Sequence, residues 1–560
     1  MSDTLLIPSA VTVPDELALD VGSIPTGMIP LHGQPVIKHI IDSFVESDRC
    51  GDIDVVVSHH PQFETLVEWA QTAEYEINTV AVENPETLSH TVATSMTKLR
   101  ERGLLADRSL CIQFADTLVY PPCADVSGDY IAYDEVDHPI RWTTFETDDT
   151  NRIETISDKF DELPQTYSKT FVGQFWFSEP EQFLEGLSGI VDQPNNKQTI
   201  SNFYLALLLY LSEREYQICS PSRWIDVGHL DTYHRAKVDF LNIRDFNRLE
   251  IDQQKGVMLK QSTNNDILNT EINWYEQIPP EVQPYTPEIY EYSLGSDPSV
   301  KMEYIGYPPL SDIHLYGNHG IHIWKKIFQN LFDLVDTFRE HTTDTYNRDV
   351  ITASTRAMYI EKTVDRLALL QEQSGFDHYF QSDEVSINGE SFVSVTGILD
   401  RLTADIESTS LLNPESATII HGDLCFPNIL YDIRTGSIKL IDPRGEFGEL
   451  TIHGDYRYEL AKLMHSINGN YEFIINDRFS VTTDRNMVEY QIYQSEKQQE
   501  RRQLFNSMLN SRYPDQEADL LALESLLWLS MVPLHSDNKK RQHVRLAQGI
   551  KKYNRRFIHQ

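Results

Sequence analysis

The chain has 560 residues, too many for one hydrophobic core, so two domains or three are expected. Its 85 acidic residues against 47 basic ones give a formal net charge of −38, which excludes a general nucleic-acid binder, because phosphate contacts need clustered Lys and Arg. Apolar content of 40% excludes a disordered chain, and five scattered cysteines without a CxxC pair (Cys50, Cys111, Cys123, Cys219, Cys425) exclude a disulfide framework or zinc site and point to a reducing, cytoplasmic compartment.

The N-terminus runs from polar residues directly into TLLIPSAV, without the basic n-region of a signal peptide. The longest apolar stretches, such as 523–533, are short or interrupted, so no bilayer-spanning segment is expected. DTLLIPSA, DIDVVVS, INTVAVE and SLCIQFAD read as buried strands. Between them PVIKHIIDSFVES, FETLVEWAQTA and HTVATSMTKLRER have helical spacing. This alternation predicts an α/β domain over residues 1–245 with a mostly parallel sheet. QFADTLV puts Asp116 at a strand end, where ligands bind in open α/β sheets, and WIDVGHLDTYHRA offers Asp226 as a second acid.

These segments resemble the sugar-phosphate nucleotidyltransferases, doubly wound GT-A-like domains that join an NTP to a sugar or alditol phosphate. IPTGMIPLHGQPVIKHIID is similar to that family's PK-x-L-x-P-x-x-G-x-P segment, ETLSHTVATSM to its base-binding helix start, VGQFWF to its sugar-side strand and WIDVG to its W-x-D-V-G. The resemblance implies Asp116 and Asp226 as Mg2+ ligands and an NTP or sugar nucleotide as ligand. Two features depart from it. After LLIPSA a glycine-rich loop is expected, but the chain reads VTVPDELALDVGS, and Thr26 stands where the family has Lys. Without that cation, charge on the attacked phosphate is poorly stabilised. Three readings stay open: an active enzyme with a divergent loop, a binding or regulatory domain on the same fold, and transfer from a nucleotide-sugar. Lys38, on a helix starting at Pro35, is expected to be solvated rather than to replace the missing cation.

The texture changes near residues 240–250, with no Gly/Ser- or Pro-rich linker. Residues 245–305 read as short strands around one helix. From about 320 the chain is helical, as in HIWKKIFQNLFDLVDTFRE and TASTRAMYIEKTVDRLALLQEQ. The apolar strand ATII then runs into HGDLCFPNIL, His421 to Leu430, and a hairpin turning at Arg434–Gly436 leads to SIKLIDPRG. Phosphoryl transfer needs a carboxylate to orient the acceptor hydroxyl and oxygen ligands for magnesium. Asp423 fits the first role, and Asn428 and Asp442 fit the second, because Mg2+ prefers hard oxygen donors.

HGDLCFPNIL with IDPRG resembles the aminoglycoside phosphotransferase and choline kinase group of the protein-kinase-like superfamily, over residues 245–530. The resemblance implies an α+β two-lobed domain over 246–560, with a small lobe at about 246–310 and a helical large lobe at about 311–560. It implies ATP or another NTP with Mg2+ as cofactors and a sugar, alditol or amino alcohol as acceptor. Lys260 in VMLKQS stands at the position that holds the nucleotide phosphates, Glu271 at that of its ion-pair partner, and Glu303 to Ile305 along the adenine edge. Asp455 in GDYRYELAKLMHS is implied to brace the catalytic loop, with Glu459 where the family more often has Asp. The loop before Lys260 has only Gly256, and Pro443-Arg444-Gly445 replaces the Phe-Gly of protein kinases, which favours a small acceptor. Domain pairing of this kind implies a role in capsule or surface-glycan precursor synthesis, with a pseudoenzyme scaffold or a sugar-nucleotide-sensing first domain as alternatives. Residues 539–560 carry eight Lys/Arg and no acid, and are expected to form a closing helix docked on the acidic body, the alternative being a site for an anionic partner.

Overall fold

The computed structural model describes residues 3–47, 52–122, 128–136, 139–158, 168–191, 201–241, 247–262, 264–414, 416–485 and 487–559. Cys50 and Cys123 lie outside these residues. The chain is mixed α/β and divides into two compact units, Met1–Phe240 and Leu241–Gln560.

The first unit is built on a nine-stranded sheet. Its centre is the strand Asp3–Pro8, paired in parallel with Ile53–His59 on one side and Leu110–Gln113 on the other. Leu5, Leu6 and Ile7 are all fully buried, although successive strand residues face opposite sides, so both faces of the sheet are covered there. Parallel pairing continues outward from Ile53–His59 to Ile77–Ala81. Beyond Leu110–Gln113 the sheet changes character. Strand Ser168–Phe177 runs antiparallel to Leu110–Gln113, Asp129–Val136 and Thr143–Thr147. The expected parallel pairing therefore runs unbroken only from Leu110–Gln113 to Ile77–Ala81, and the other half is mixed. Among the described residues, no α-helix separates the strands from Asp129–Val136 to Ser168–Phe177, whereas the helices Pro180–Ile190 and Asn202–Ser212 precede Tyr216–Cys219, which pairs in parallel with Asp129–Val136.

The second unit begins with a four-stranded antiparallel sheet, ordered Asn247–Asp252, Val257–Ser262, Ser299–Glu303, Ile289–Ser293. Helix Asn265–Gln277 follows the second of these strands. Asn264 caps it, its side chain accepting from the Ile267 N–H. The helix buries Leu268, Ile272, Trp274 and Tyr275, and Trp274 Nε1 donates to the Ile420 carbonyl at 2.7 Å. That bond ties the helix to the strand Ala417–Ile419 that leads into His421. The rest is mostly helical. Helix Ile321–Glu340 turns Trp324, Ile327, Phe328, Leu331, Leu334, Val335 and Phe338 inward at three- and four-residue spacing. These side chains share one core with Leu424, Phe426, Ile429 and Leu440, so the HGD loop and the following hairpin rest on a packed floor.

The apolar run near the end of the chain is longer than the stretch 523–533 read from the sequence. The stretch Glu517–His535 is long and apolar enough to cross a membrane by length and composition, yet 72% of it is buried within the protein. It is the central helix of a core that includes Leu523, Leu526, Leu529, Leu546 and Ile550. Helix Lys539–Phe557 packs on it, burying Val544, Leu546, Ala547, Ile550 and Tyr553. Its charges meet acids of the body: Lys552 pairs with Glu524 at 2.8 Å and Arg541 with Asp477 at 2.5 Å. The basic segment thus closes the second unit.

Candidate active site

Lys260 lies mid-strand in Val257–Ser262, between two hydrogen-bonded neighbours, and is 9% exposed. Its Nζ donates to Glu271 Oε1 at 2.9 Å, to Glu271 Oε2 at 2.7 Å and to Asp442 Oδ1 at 2.6 Å. Burial opposes the ammonium charge, but the Asp442 and Glu271 carboxylates outweigh it and hold its pKa above the ordinary lysine value. Glu271 is 4% exposed, while Asp442 is 56% exposed, so only Asp442 opens toward solvent. Asp442 has φ +57, a left-handed conformation rare outside glycine. Gly445 then sits at φ +72 with its Cα against the Glu271 helix, where a Cβ would come within 2.3 Å of the Thr270 carbonyl oxygen. Only glycine lets the Asp442 loop approach that helix so closely.

Asp423 lies on the loop after strand Ala417–Ile419 and is 40% exposed. Lys462 Nζ reaches its Oδ1 at 2.7 Å. Burial alone would raise the Asp423 carboxyl, but the charge and hydrogen bond of Lys462 prevail and hold it below the usual carboxylate range. Asn428 Nδ2 donates to the Asp423 carbonyl at 3.0 Å and to Asp423 Oδ2 at 3.1 Å. With its NH2 group turned to Asp423, Asn428 presents its amide oxygen to the other side. The fully buried His421 joins the two loops. Its Nε2 lies 3.0 Å from the Ile441 carbonyl and its Nδ1 accepts from the Asp423 N–H. Burial pushes its pKa down to about 4, so it is a neutral Nε2–H tautomer acting as a strut. The Ile441 N–H to Asn428 carbonyl and Arg444 N–H to His421 carbonyl bonds complete the stitching. Glu303 ends the inner strand Ser299–Glu303 and Ile305 follows it, both half-buried. The Tyr304 N–H between them donates to the Gly256 carbonyl at 2.8 Å.

The brace under this loop is not Asp455. Asp455 caps the helix Tyr456–Ile467, accepting from the Arg457 N–H, and it pairs with the Arg457 guanidinium at 2.8 Å. The carboxylate that holds the HGD backbone is that of Glu459, whose Oε1 accepts from the Gly422 N–H at 2.9 Å. Glutamate reaches the loop from one turn further along the helix than the expected aspartate position. Glu459 is fully buried, and its Oε2 has no partner. Burial raises its pKa to about 8 against an unfolded value of 4.5, partly offset by the hydrogen bonds from Gly422 and His421. Between pH 4.5 and 8 the native state therefore holds a proton that the unfolded chain has released. Stability from this group is greatest at low pH, falls as pH rises toward 8, and is level above. Glu459→Gln keeps an acceptor for Gly422 and removes the titration. Its stability relative to the unsubstituted chain is expected to rise by about 3 kcal/mol between pH 5 and pH 8, measured by denaturant unfolding at each pH. An unchanged difference would show that Glu459 is ionised throughout.

In the first unit, strands Thr117–Tyr120 and Arg223–Asp226 pair antiparallel with Thr117 opposite Asp226, which brings Asp116 and Asp226 together. Gly228 sits between them: a Cβ there would lie 2.8 Å from Asp116 Oδ2 and 3.3 Å from Asp226 Oδ1. Asp226 accepts from the Gly228 N–H, from Thr232 Oγ1 at 2.8 Å and from His229 Nδ1 at 2.9 Å. Burial, then the Asp226 charge, raises Asp116 to about 6. The hydrogen bond with Asp226, against burial, raises the pKa of His229. Two half-buried carboxylates forced together suit a divalent cation. The expected phosphate cation is absent from the loop side. Residues 9–25 fold through a short helix, Asp15–Val21, with two acids in its first turn, and Thr26 is buried in a 3-10 turn. Lys38 pairs with Asp42 at 2.7 Å.

No protein-family model matches the chain, and no curated protein matches it. Among solved structures, the chain is similar to a nucleoside-diphosphate-sugar pyrophosphorylase from Vibrio cholerae RC9 at 17% identity, over 42% of this chain and 99% of that one, with a TM-score of 0.33. It is similar to the CTP:phosphocholine cytidylyltransferase of Streptococcus pneumoniae at 12% identity, over 43% of this chain and 100% of the other, with a TM-score of 0.33. A third similarity, at 13% identity, is to the inositol-1-phosphate CTP transferase of T. maritima, over 41% and 91% of the two chains, with a TM-score of 0.31.

Two side chains that shape the second site carried no role in the sequence reading. His421 stood within the quoted motif, but its strut function depends on the distant Ile441 carbonyl. Lys462 lies almost forty residues after Asp423, one turn beyond Tyr458 on the same helix. Lys–Asp pairing over that distance leaves no periodic signal. Among the described residues no three His, Cys, Asp or Glu side chains converge as a metal centre. The oxygens of Asn428 and Asp442 nonetheless fit Mg2+, which takes its remaining ligands from water and nucleotide phosphates.

Proposed function

We propose that the second unit is a protein-kinase-like, ATP-dependent phosphotransferase acting on a small hydroxyl compound. The observation that carries this reading is the joint arrangement of two groups: Lys260 held between Glu271 and Asp442, and Asp423 bonded to Asn428 on a loop stitched to the Asp442 loop. Lys260 supplies a fixed cation for nucleotide phosphates, and the edge at Glu303 to Ile305 takes the adenine. Bound Mg2+, held by Asn428 and Asp442, would neutralise phosphate charge. Asp423 accepts the hydrogen bond of the acceptor hydroxyl and aims its oxygen at the γ-phosphorus. The new O–P bond forms as the bridging P–O bond of ATP breaks, ADP leaves with that electron pair, and the hydroxyl proton passes to Asp423. Because Lys462 holds Asp423 below the usual carboxylate range, Asp423 is a weak base whose main contribution is orientation.

For the first unit we propose a metal-dependent site for an NTP or sugar nucleotide at Asp116 and Asp226, on a nucleotidyltransferase-like domain. Whether it transfers or only senses depends on the missing cation. The folded, acid-bearing segment 9–25 and the paired Lys38 favour sensing. Phosphotransfer to a sugar or alditol by a chain that also carries a sugar-nucleotide site suits the making of an activated surface-glycan precursor.

One assay separates the parts. The full chain is incubated with Mg2+, each NTP and a panel of sugars, alditols and amino alcohols, and ADP and pyrophosphate are followed separately. ADP release that depends on one acceptor supports the kinase reading, and its absence with all of them counts against it. Pyrophosphate release lost in Asp226→Asn would establish transfer in the first unit. NTP-dependent thermal stabilisation lost in Asp226→Asn, without pyrophosphate, would establish sensing.

A further inference from the structure

Beside Asp423 the second unit gathers cations from three separate segments. Lys362 and Arg366 lie one turn apart on helix Lys362–Gln371. Lys462 stands one turn beyond Tyr458 on helix Tyr456–Ile467. Arg444 follows Asp442 by two residues, and its Cβ lies against Gly422, where an added Cβ would sit 2.9 Å away. The Tyr458 ring joins the group: Lys362 Nζ and Lys462 Nζ are each 5.9 Å from its centroid. Tyr458 is itself fixed by Tyr359, stacked at 6.3 Å, and by Phe447, edge-on at 5.7 Å.

The cations are not balanced. Asp423 is the carboxylate of this group, and Lys462 already occupies it at 2.7 Å. Among the described residues Lys362, Arg366 and Arg444 make no ion pair, and Arg366 Nη1 is buried without a hydrogen-bond partner. The neighbouring Glu361 and Asp365 are exposed and pair with neither Lys362 nor Arg366. Burial and the charges of Arg444, Lys462 and Arg366 hold Lys362 below its ordinary pKa. Burial and Arg444 do the same to Arg366. In a chain with a net charge of −38, four converging cations against one carboxylate are held together at an electrostatic cost that an anion would relieve.

We propose that Lys362, Arg366 and Arg444 form an anion subsite next to Asp423, and that the acceptor of the second unit is a hydroxyl compound already bearing a phosphate or carboxylate. The inference rests on the phosphotransferase reading for the role of Asp423, but the subsite itself can be tested without turnover. An acceptor of this kind is held at its anionic end by the guanidinium and ammonium groups, with a hydroxyl delivered to Asp423. Cationic amino alcohols are repelled by the same charges. The chemistry that supplies this acceptor is an earlier phosphorylation or oxidation of a polyol or sugar.

Binding of inorganic phosphate, glucose 6-phosphate and glycerate to the full chain is measured by calorimetry without ATP. All three are compared with glucose and ethanolamine. The anions are expected to bind and the other two not. Lys362→Gln with Arg366→Gln is expected to weaken anion binding tenfold or more, and Lys362→Arg to retain it. Lys260→Met is expected to lose Mg-ATP binding and leave anion binding intact. Preference for glucose 6-phosphate over glycerate, or the reverse, identifies the anion. Equal anion binding in the double variant overturns the subsite. A parallel loss of ATP but not ADP affinity there assigns the cations to the γ-phosphate and overturns it too. Faster turnover of ethanolamine or glucose than of either organic anion overturns the acceptor class. A chain that binds no Mg-ATP but binds anions through Lys362 and Arg366 would sink the phosphotransferase reading and leave the subsite standing.

Discussion

Asp423→Asn is expected to lower acceptor-dependent ADP release by about 10²- to 10⁴-fold while Mg-ATP binding stays within a few fold. The carboxylate is partly exposed on a loop whose backbone is fixed by Glu459 and His421, so the amide replaces it without moving the loop. Asparagine still accepts one hydrogen bond but presents no charge to the hydroxyl proton or to Lys462. Lys462 then loses its partner at 2.7 Å and adds a free cation to the cluster around Tyr458. Anion affinity at the neighbouring subsite is therefore expected to rise as turnover falls. Single-turnover measurements with saturating ATP check the first effect, and calorimetry with inorganic phosphate the second. Turnover equal to that of the unsubstituted chain would remove Asp423 from the mechanism.

Asp442→Asn is expected to act at the other end of the reaction, on nucleotide affinity. Asp442 is the one member of the Lys260 cluster that opens to solvent, and its left-handed backbone aims it outward. The substitution leaves the Lys260–Glu271 bonds at 2.7 and 2.9 Å, so the small sheet and its helix stay in place. Loss of the carboxylate removes the hard oxygen that Mg2+ needs beside the phosphates. Ligand at a hundred times its Kd stabilises a protein by about 2.7 kcal/mol. Most of that gain is expected to vanish in Asp442→Asn with Mg-ATP, and the two proteins are expected to unfold alike in EDTA. Thermal unfolding with and without Mg2+ reads this directly. Equal protection by Mg-ATP in both would place the metal elsewhere.

The first unit shows where local pattern stops being informative. The strands Asp3–Pro8 and Ile53–His59 were legible because their apolar runs are continuous, as expected of strands buried on both faces. The mixed half was not, because Asp129–Val136 and Ser168–Phe177 pair through register and a bulge between Phe171 and Phe175 that no residue pattern announces. Asp116 was legible from its strand-end position, and Asp226 from the resemblance of its WIDVG segment. Their approach across Gly228 rests on a two-stranded pairing between residues more than a hundred apart. In the second unit the assignment of the brace to Asp455 failed for a similar reason. Asp455 and Glu459 lie one turn apart on one helix, and which of them reaches Gly422 is set by how that helix packs.

The sequence by itself determined the order of parts: an α/β first half with the acids Asp116 and Asp226, then Lys260, Glu271, Asp423, Asn428 and Asp442 in a helical second half. It could do so because strand and helix periodicity and the short HGD-to-IDPRG spacing are local. Only the tertiary structure decided which charges meet. It put Glu459 beneath the HGD loop, His421 between that loop and the Asp442 loop, Lys462 on Asp423, and Lys362, Arg366 and Arg444 beside it. Such meetings follow from packing between segments distant in the chain, where spacing carries no information and burial sets the strength of each charge.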